Sequence, residues 1–223
     1  MTAEPPLCRL YLISPPTLEP ERFALTLESA LAAGDVGAFQ LRLKDASDDT
    51  IRATVRALMP VVHRHEAAFL LNDRADLAVE LGTDGVHLGQ EDMPIAEART
   101  LLGAHKIIGI SCHDSSHLAM EAGEAGADYV AFGAFHPTRS KSPEKLANYG
   151  TPTAELLEGW ATYTTVPAVA IGGLTPENCV PLVAAGADFI AAITAVWEHP
   201  EGPAEAVRAF NTAIQQGLRA RGI

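Results

Sequence analysis

The 223-residue sequence contains only three cysteines, Cys8, Cys112 and Cys179. An odd number without CxxC spacing is unlike the disulfide framework of a small secreted protein and unlike a cysteine-ligated zinc site. Reduced thiols fit the pattern better, and we therefore expect a cytoplasmic protein. Cys112 follows a predicted strand, but the sequence shows no partner arrangement for a nucleophile. We expect it to be a small packing residue.

Long hydrophobic runs are also missing. No apolar stretch approaches the roughly 18 residues that a bilayer span requires, so we expect no membrane contact. The first 16 residues, MTAEPPLCRLYLISPP, lack a basic segment followed by an apolar one, and no signal peptide is expected.

Positive charge is scarce. Sixteen Lys and Arg stand against 28 Asp and Glu, which gives a formal net charge of −12. Nucleic acid and anionic membrane surfaces are therefore poor partners, because either would require a basic face. A phosphorylated small molecule is compatible with this charge, since a few well-placed cations can dominate the field at one site.

Short apolar runs recur along the chain, and segments with helical signals separate them. Most runs are continuously apolar, as expected for parallel strands that are buried on both faces. Ser47 or Asp48 is placed to cap one helix, and Thr175 with Pro176 is placed to begin another. The eight runs are RLYLIS (9–14), AFQLRL (38–43), AAFLLND (67–73), GVHLG (85–89), IIGIS (107–111), ADYVAFG (127–133), PAVAIGG (167–173) and FIAAIT (189–194).

Eight alternating strands and helices predict an α/β fold, specifically a (β/α)₈ TIM barrel. An open doubly wound sheet is the structural alternative, but it usually has fewer strands at this length. Length alone would allow one domain or two. No linker, low-complexity stretch or charge block divides the chain, so we predict a single domain over residues 1–223.

Polar residues gather where the predicted strands end, which is the active-site edge of such a barrel. In the second strand Gln40, Arg42 and Lys44 occupy alternate positions and would share one side. A solvated stripe on a surface-facing strand is one explanation. The barrel context favours another, a cationic clamp for phosphate, because Arg offers a planar fork and Lys a point charge.

Two aspartates, Asp73 and Asp92, follow the third and fourth strands. Each alone could be the N-cap of the next helix. Together, with Asn72 and Lys44 nearby, they suggest Mg²⁺, which takes one or two carboxylates plus substrate phosphates and water.

Two further segments suggest phosphate. Gly172 and Gly173 could be a simple strand-to-helix turn, but the loops after strands 7 and 8 are a recurrent phosphate site in these barrels. After strand 6, residues 134–152 form a long polar loop with Lys141, either solvated or acting as a lid that brings this lysine to an anion.

These residues carry a resemblance to a known family. QLRLKD, LNDRADLAVELGTDGVHLGQEDMP, IIGISCHD, ADYVAFGAFHPTRSK and AIGGLTPEN with AGADFIAAITAVW resemble, in order, the motifs of thiamine phosphate synthases. The resemblance covers nearly the whole chain. It implies a TIM-barrel transferase that joins 4-amino-5-hydroxymethyl-2-methylpyrimidine diphosphate to 4-methyl-5-(2-phosphoethyl)thiazole with Mg²⁺ and releases pyrophosphate.

The resemblance also implies a role for each matched residue. Pyrimidine would contact Gln40 and His87, and the metal would contact Asp73 and Asp92. The diphosphate would be held by Arg42, Lys44, Asn72, Ser111 and Lys141, and the thiazole phosphate by Thr138, Ser140, Gly173, Ile193 and Thr194. The partners implied are these small molecules alone, and the sequence leaves the oligomeric state open, a homo-oligomer included.

The implied reaction needs no catalytic triad. Breaking a C–O bond would give a pyrimidine-stabilised cation and pyrophosphate, and the thiazole nitrogen attacks with a lone pair that it already has. Catalysis would then be mainly charge stabilisation and alignment. The sequence departs from the family pattern at Ser140, at His136 and in the AIT before Ala195, but no departure removes a required functional group.

Three alternatives stay open at this point. A thiazole tautomerase of the same superfamily would be an isomerase, which typically lacks the intact GQED segment. A non-catalytic phosphate-binding barrel would be expected to lose the acid pair or the lid lysine. A barrel enzyme of tryptophan synthesis shares the IGG-type loop but not the ND and GQED segments.

Overall fold

Eight parallel strands form a closed barrel in this computed structural model, which describes residues 8–138 and 149–222. Each strand pairs with the next, and β8 pairs with β1. The closed barrel confirms the predicted (β/α)₈ fold and excludes the open sheet. The strands are β1 (Arg9–Ile13), β2 (Val36–Leu41), β3 (Ala68–Asn72), β4 (Gly85–Leu88), β5 (Ile107–His113), β6 (Tyr129–Phe132), β7 (Ala168–Ile171) and β8 (Phe189–Ala192).

Helices follow the strands and cover the outside of the barrel. Two of them begin where the sequence predicts. One begins after Ser47, whose side chain accepts from the Thr50 N–H, and the other begins after Thr175, with Pro176 at the first helical position. Within the described residues, no helix combines the length and apolar character that a membrane span requires. The helices are α1 (Pro20–Leu31), α2 (Asp48–Arg64), α3 (Ala75–Leu81), α4 (Ile95–Leu102), α5 (Ser116–Glu124), α6 (Ala154–Tyr163), α7 (Pro176–Ala184), α8 (Thr194–Trp197) and α9 (Pro203–Arg221).

The strands are buried on both faces, which explains their continuous apolar sequences. The larger core lies between the sheet and the helices. A second core fills the barrel interior, and its members come from alternate strand positions: Tyr11, Ile13, Ala38, Leu70, Tyr129, Ala131, Val169 and Ala191. Two tyrosines are therefore inside the barrel, beneath its carboxyl-terminal end.

An aspartate stands directly before each even-numbered strand and binds the odd-numbered strand that precedes it. We call these four residues, Asp35, Asp84, Asp128 and Asp188, the amino rim. Asp35 accepts from the Arg9 guanidinium at 2.6 Å. The other three accept backbone N–H groups, from Phe69 at 2.7 Å, Ile108 at 2.7 Å and Ala168 at 2.8 Å. The carboxylates at this end of the barrel are therefore engaged in holding strands together.

Seven of the eight strands end one or two residues before the predicted runs do, and two of these early ends change the interpretation of the site. β2 stops at Leu41 because the Arg42 N–H donates to Ser14 Oγ at 2.9 Å. The prediction that Gln40, Arg42 and Lys44 share one strand is therefore wrong, since the two cations lie in the loop. β8 stops at Ala192, and Thr194 begins α8 instead of ending the strand.

Candidate active site

Lys44 and Asp73 meet at the carboxyl end of the barrel. Lys44 Nζ lies 3.4 Å from Asp73 Oδ2, although the two side chains come from the loops after different strands. The Asp73 backbone adopts a left-handed conformation, with φ of 63°, and its N–H donates to the carbonyl of His87 at 2.8 Å. The end of β4 thus fixes the residue that follows β3. A small cavity of about 100 Å³ beside this pair is also lined by Asn72.

Neither Asp73 nor Asp92 caps a helix. The N-cap residues of α3 and α4 are Arg74 and Pro94, so the capping interpretation is wrong for both aspartates. Asp92 instead folds back over its own turn, where Oδ2 accepts the Gly89 N–H at 2.6 Å. Burial raises the pKa of Asp73, proximity to the Asp92 carboxyl group raises it further, and Lys44 opposes both effects.

Two half-buried carboxylates in contact are an unfavourable arrangement that a cation would relieve. Within residues 8–138 and 149–222, no group of three or more His, Cys, Asp or Glu converges on one point. Two carboxylates alone are too few to coordinate a metal ion fully, so substrate oxygens and water would have to occupy the other positions of an ion held there. Mg²⁺ is usually bound in this way, and the donor set fits it.

Arg42 is the second cation of the site. Burial lowers the pKa of its guanidinium, while Asp73 and Asp45 raise it. A guanidinium stays charged in such surroundings, and its planar fork can bind two oxygens of a phosphate. Arg42 and Lys44 thus place positive charge beside the Asp73 and Asp92 pair.

Gln40, His87 and Ser111 are joined by a hydrogen-bonded chain that includes two residues the sequence analysis missed. Gln40 Nε2 donates to the Tyr11 hydroxyl at 2.8 Å, which lies 2.8 Å from the Tyr129 hydroxyl. Tyr129 Oη lies 2.8 Å from His87 Nδ1, and His87 Nε2 lies 3.0 Å from Ser111 Oγ. Alternation along the strands could have placed both tyrosines inside the barrel, but it could not have shown that their hydroxyls meet.

The turn after β7 is held against the loop after β6. The N–H of His136 donates to the Gly172 carbonyl at 3.1 Å. Gly173 has φ of 63°, and a Cβ there would lie 2.5 Å from the Pro137 carbonyl oxygen. The glycine thus permits a close approach that brings Thr138, one residue later, toward the same turn.

Asn178 also holds this turn, although it is not among the site residues predicted from the sequence. Its Nδ2 donates to the Gly173 carbonyl at 3.0 Å, and its Oδ1 accepts the Thr175 N–H at 2.8 Å. Asn178 stands in the third position of α7, within a capping box with Thr175. The capping pattern in the sequence is therefore the signal that could have identified it.

The remaining predicted site residues lie at the end of a strand, at the start of a helix or outside the described residues. Asn72 ends β3 and is half-buried, while Ile193 and Thr194 form the half-buried start of α8. Ser140 and Lys141 lie outside the described residues. Cys112 is fully buried and burial raises the pKa of its thiol to about 12, which supports the expected packing role.

We expect Asn178→Asp to raise the KM for a phosphate ligand at this turn about fivefold, with a smaller change in kcat. The aspartate would still accept from the Thr175 N–H, but it could not donate to the Gly173 carbonyl, and one hydrogen bond contributes about 1 kcal/mol. Steady-state kinetics with each substrate varied in turn would measure this. The KM for the other substrate should stay unchanged.

Asn211→Asp is the matched control. Asn211 makes the same pair of contacts at the opposite end of the barrel, where it accepts from the Asp35 N–H at 2.8 Å and donates to the Asp35 carbonyl at 3.1 Å. Its replacement should lower Tm and leave both KM values unchanged. Equal KM values in the two variants would separate Asn178 from the site.

The chain matches known proteins over most of its length. A family model described as thiamine monophosphate synthase matches residues 10–196. A thiamine-phosphate synthase of Rhodospirillum centenum is 56% identical over 93% of this chain and 98% of its own. The corresponding protein of Hyphomonas neptunium is 50% identical over 96% and 97%. A solved thiamine phosphate pyrophosphorylase from Pyrococcus furiosus superposes with a TM-score of 0.81 at 31% identity, covering 96% of this chain and 98% of that one.

Proposed function

This chain belongs to the thiamine monophosphate synthase family, and we propose that the carboxyl end of its barrel is the active site. The protein is a transferase that joins 4-amino-5-hydroxymethyl-2-methylpyrimidine diphosphate to 4-methyl-5-(2-phosphoethyl)thiazole, giving thiamine phosphate and pyrophosphate. The observation that carries the site proposal is the meeting of Lys44, Asp73 and Asp92 at one edge of the barrel. That edge has the charges that a departing diphosphate requires.

Gln40 and His87 would hold the pyrimidine at the mouth of the barrel. Both are buried, at 2% and 8% exposure, and both have polar atoms directed into the hydrogen-bonded chain with Tyr11 and Tyr129. An aromatic ring with an amino group fits a site that is apolar around a few fixed polar groups. These contacts would orient the carbon that is to be attacked.

Arg42, Lys44, Asn72 and Ser111 would hold the diphosphate, with Lys141 a further contact predicted from the resemblance. Asp73 and Asp92 would hold Mg²⁺, whose chemistry when bound is to neutralise the charge that develops on the leaving group. Arg42 and Lys44 stabilise the same charge from the protein side. As the C–O bond breaks, its electron pair leaves with the pyrophosphate.

The thiazole phosphate would occupy the opposite part of the same edge. Gly173 lies in the turn after β7, and Ile193 and Thr194 lie at the start of α8. Thr138 and Ser140 complete the predicted set. Holding the phosphate here aligns the ring nitrogen with the pyrimidine carbon, and its lone pair forms the new C–N bond. No protein base is needed for that step, so alignment is the main contribution of these residues.

No observation favours the alternatives. Asp73 and Asp92, the pair proposed to hold the metal, are in contact, which argues against both a tautomerase without this pair and a non-catalytic barrel. The cytoplasmic location stays a prediction from the cysteine pattern.

The direct test is synthesis of thiamine phosphate by the purified protein. Both substrates and Mg²⁺ would be supplied, with and without EDTA, and the product would be followed by fluorescence after oxidation to thiochrome. We expect product that disappears with EDTA and returns with excess Mg²⁺. A folded protein that forms no product from verified substrates would contradict the proposal.

A further inference from the structure

Two buried tyrosines join the pyrimidine side of the site to its diphosphate side. Tyr11 and Tyr129 are 3% and 6% exposed and lie on β1 and β6, which are not neighbours in the barrel. Their hydroxyls are 2.8 Å apart and stand between Gln40 and His87. The resulting chain crosses the barrel and ends at Ser111.

Gly109 makes room for the Tyr129 ring. A Cβ on Gly109 would lie 1.8 Å from Tyr129 Cζ and 2.3 Å from its hydroxyl oxygen. The ring therefore occupies the space that a larger side chain at this position of β5 would fill. The ring also stacks on His87, with centroids 5.6 Å apart, and meets the edge of Tyr11 at 6.0 Å. This packing fixes the hydroxyl within hydrogen-bond reach of His87 Nδ1.

The hydrogen positions can be assigned from the Gln40 end of the chain. Gln40 donates to Tyr11 Oη, and we assign the Tyr11 hydroxyl hydrogen to Tyr129 and the Tyr129 hydrogen to His87 Nδ1, because each buried hydroxyl hydrogen then has an acceptor. His87 then carries its own hydrogen on Nε2 and donates to Ser111 Oγ. Burial raises the pKa of Tyr11 to about 12 and also raises the pKa of Tyr129, so both hydroxyls keep their hydrogens at neutral pH. The reverse order would require a rotated Gln40 amide.

We propose that Tyr11 and Tyr129 are positioning residues that hold His87 in its Nε2–H tautomer and thereby leave the Ser111 hydroxyl hydrogen free for an anionic oxygen of the diphosphate. The inference rests on the proposed role of Ser111 as a diphosphate contact. Diphosphate oxygens are acceptors, so a serine that spent its hydrogen on His87 would present only lone pairs to them. When each hydrogen bond of the chain runs from Gln40 toward Ser111, the Ser111 hydroxyl can donate to the leaving group.

The tautomer can be observed without any assay of activity. Nitrogen-15 NMR of histidine-labelled protein distinguishes Nδ1–H from Nε2–H rings, and His87→Gln would assign the relevant signal among the eight histidines. We expect the Nε2–H form in the wild type and a mixture of both forms in Tyr129→Phe. An Nδ1–H ring in the wild type would overturn the proposal.

Kinetics would test the consequence for Ser111. Tyr129→Phe should lower kcat about tenfold, the effect of one charge-assisted hydrogen bond in the transition state. Tyr11→Phe should have a smaller effect, because Tyr129 could still donate to His87. In a Ser111→Ala background Tyr129→Phe should change kcat little, since the two residues act through one interaction. Additive losses of kcat would overturn the proposal, because a merely structural tyrosine would behave in that way.

Tyr163→Phe is the control, because this tyrosine is 86% exposed at the end of α6 and should leave both the NMR signal and kcat unchanged. The proposed function and the positioning role of the tyrosines can fail separately. A wild type that makes no thiamine phosphate would contradict the proposed function, while the NMR result would still decide the order of the chain. An active wild type with an Nδ1–H His87 would contradict the positioning role alone.

Discussion

Replacing Asp73 with Asn is expected to abolish metal-dependent turnover and to leave the metal-free protein at least as stable as the wild type. Asp73 is half-buried beside Asp92, and both burial and that neighbour raise its pKa, so its charge is unfavourable in the folded state. Asn removes the charge, and it tolerates the left-handed backbone at this position. Loss of a metal ligand should lower kcat at least about 100-fold, because replacing a residue that merely binds a metal ligand already lowers affinity or activity about 10–100-fold.

The measurement pairs thiochrome kinetics over a Mg²⁺ titration with thermal unfolding in EDTA and in Mg²⁺. Wild-type protein should gain Tm with Mg²⁺, and Asp73→Asn should not. Asp188→Asn is the matched control, because burial also raises the pKa of that carboxyl group, but it lies at the amino rim. The control should keep both kcat and the Mg²⁺ response. A variant at Asp73 that keeps its Mg²⁺ dependence would remove this residue from the metal site.

Replacing Gly173 with Ala is expected to impair both the fold and the binding of the thiazole phosphate. A left-handed backbone costs an alanine about 1–2 kcal/mol, and the new Cβ would also lie 2.5 Å from the Pro137 carbonyl oxygen. The loop after β6 would have to move, at a further cost of about 1–3 kcal/mol. We expect a fall in Tm of several degrees and a rise of at least about tenfold in the KM for the thiazole phosphate.

Gly82→Ala separates the two causes. Gly82 has a similar φ of 70° at the end of α3, and a Cβ there would meet nothing within 4 Å. This control carries the backbone cost alone, so it should lower Tm by a smaller amount and leave KM unchanged. If Gly173→Ala matched Gly82→Ala in both measurements, the close approach of the two loops would not matter for binding.

The barrel was predictable because its strands are buried on both faces and therefore read as continuous apolar runs. The residue at which each strand ends was less predictable, because the hydrogen-bonded ladder stops where a side chain accepts the next backbone N–H. Ser14 does so for Arg42, and nothing in the composition of QLRLKD indicates it. β5 shows the opposite error, because it continues to His113 through a register shift after Ser111.

Within the site, sequence reasoning found groups that carry charge and missed groups that position them. Asp73 and Asp92 were recognisable as acids at strand ends, but only the structure excludes capping roles by assigning the caps to Arg74 and Pro94. Tyr11 and Tyr129 resemble ordinary strand residues, and their roles depend on contacts across the barrel. Such contacts join residues that are 118 positions apart, so no local pattern encodes them.

The aspartates of the amino rim and the aspartates of the proposed metal site lie at opposite ends of the barrel. Substitutions at the two ends should therefore change different properties of the protein. Substitutions at Asp84, Asp128 or Asp188 leave a backbone N–H of the neighbouring strand without its acceptor, so they should lower the thermal stability of the protein. Substitutions at Asp73 or Asp92 would be registered as lost growth without thiamine, in a protein that survives heating. A library aimed at robustness can therefore vary one end of the barrel, and a library aimed at altered substrates can vary the other, with little interference between them.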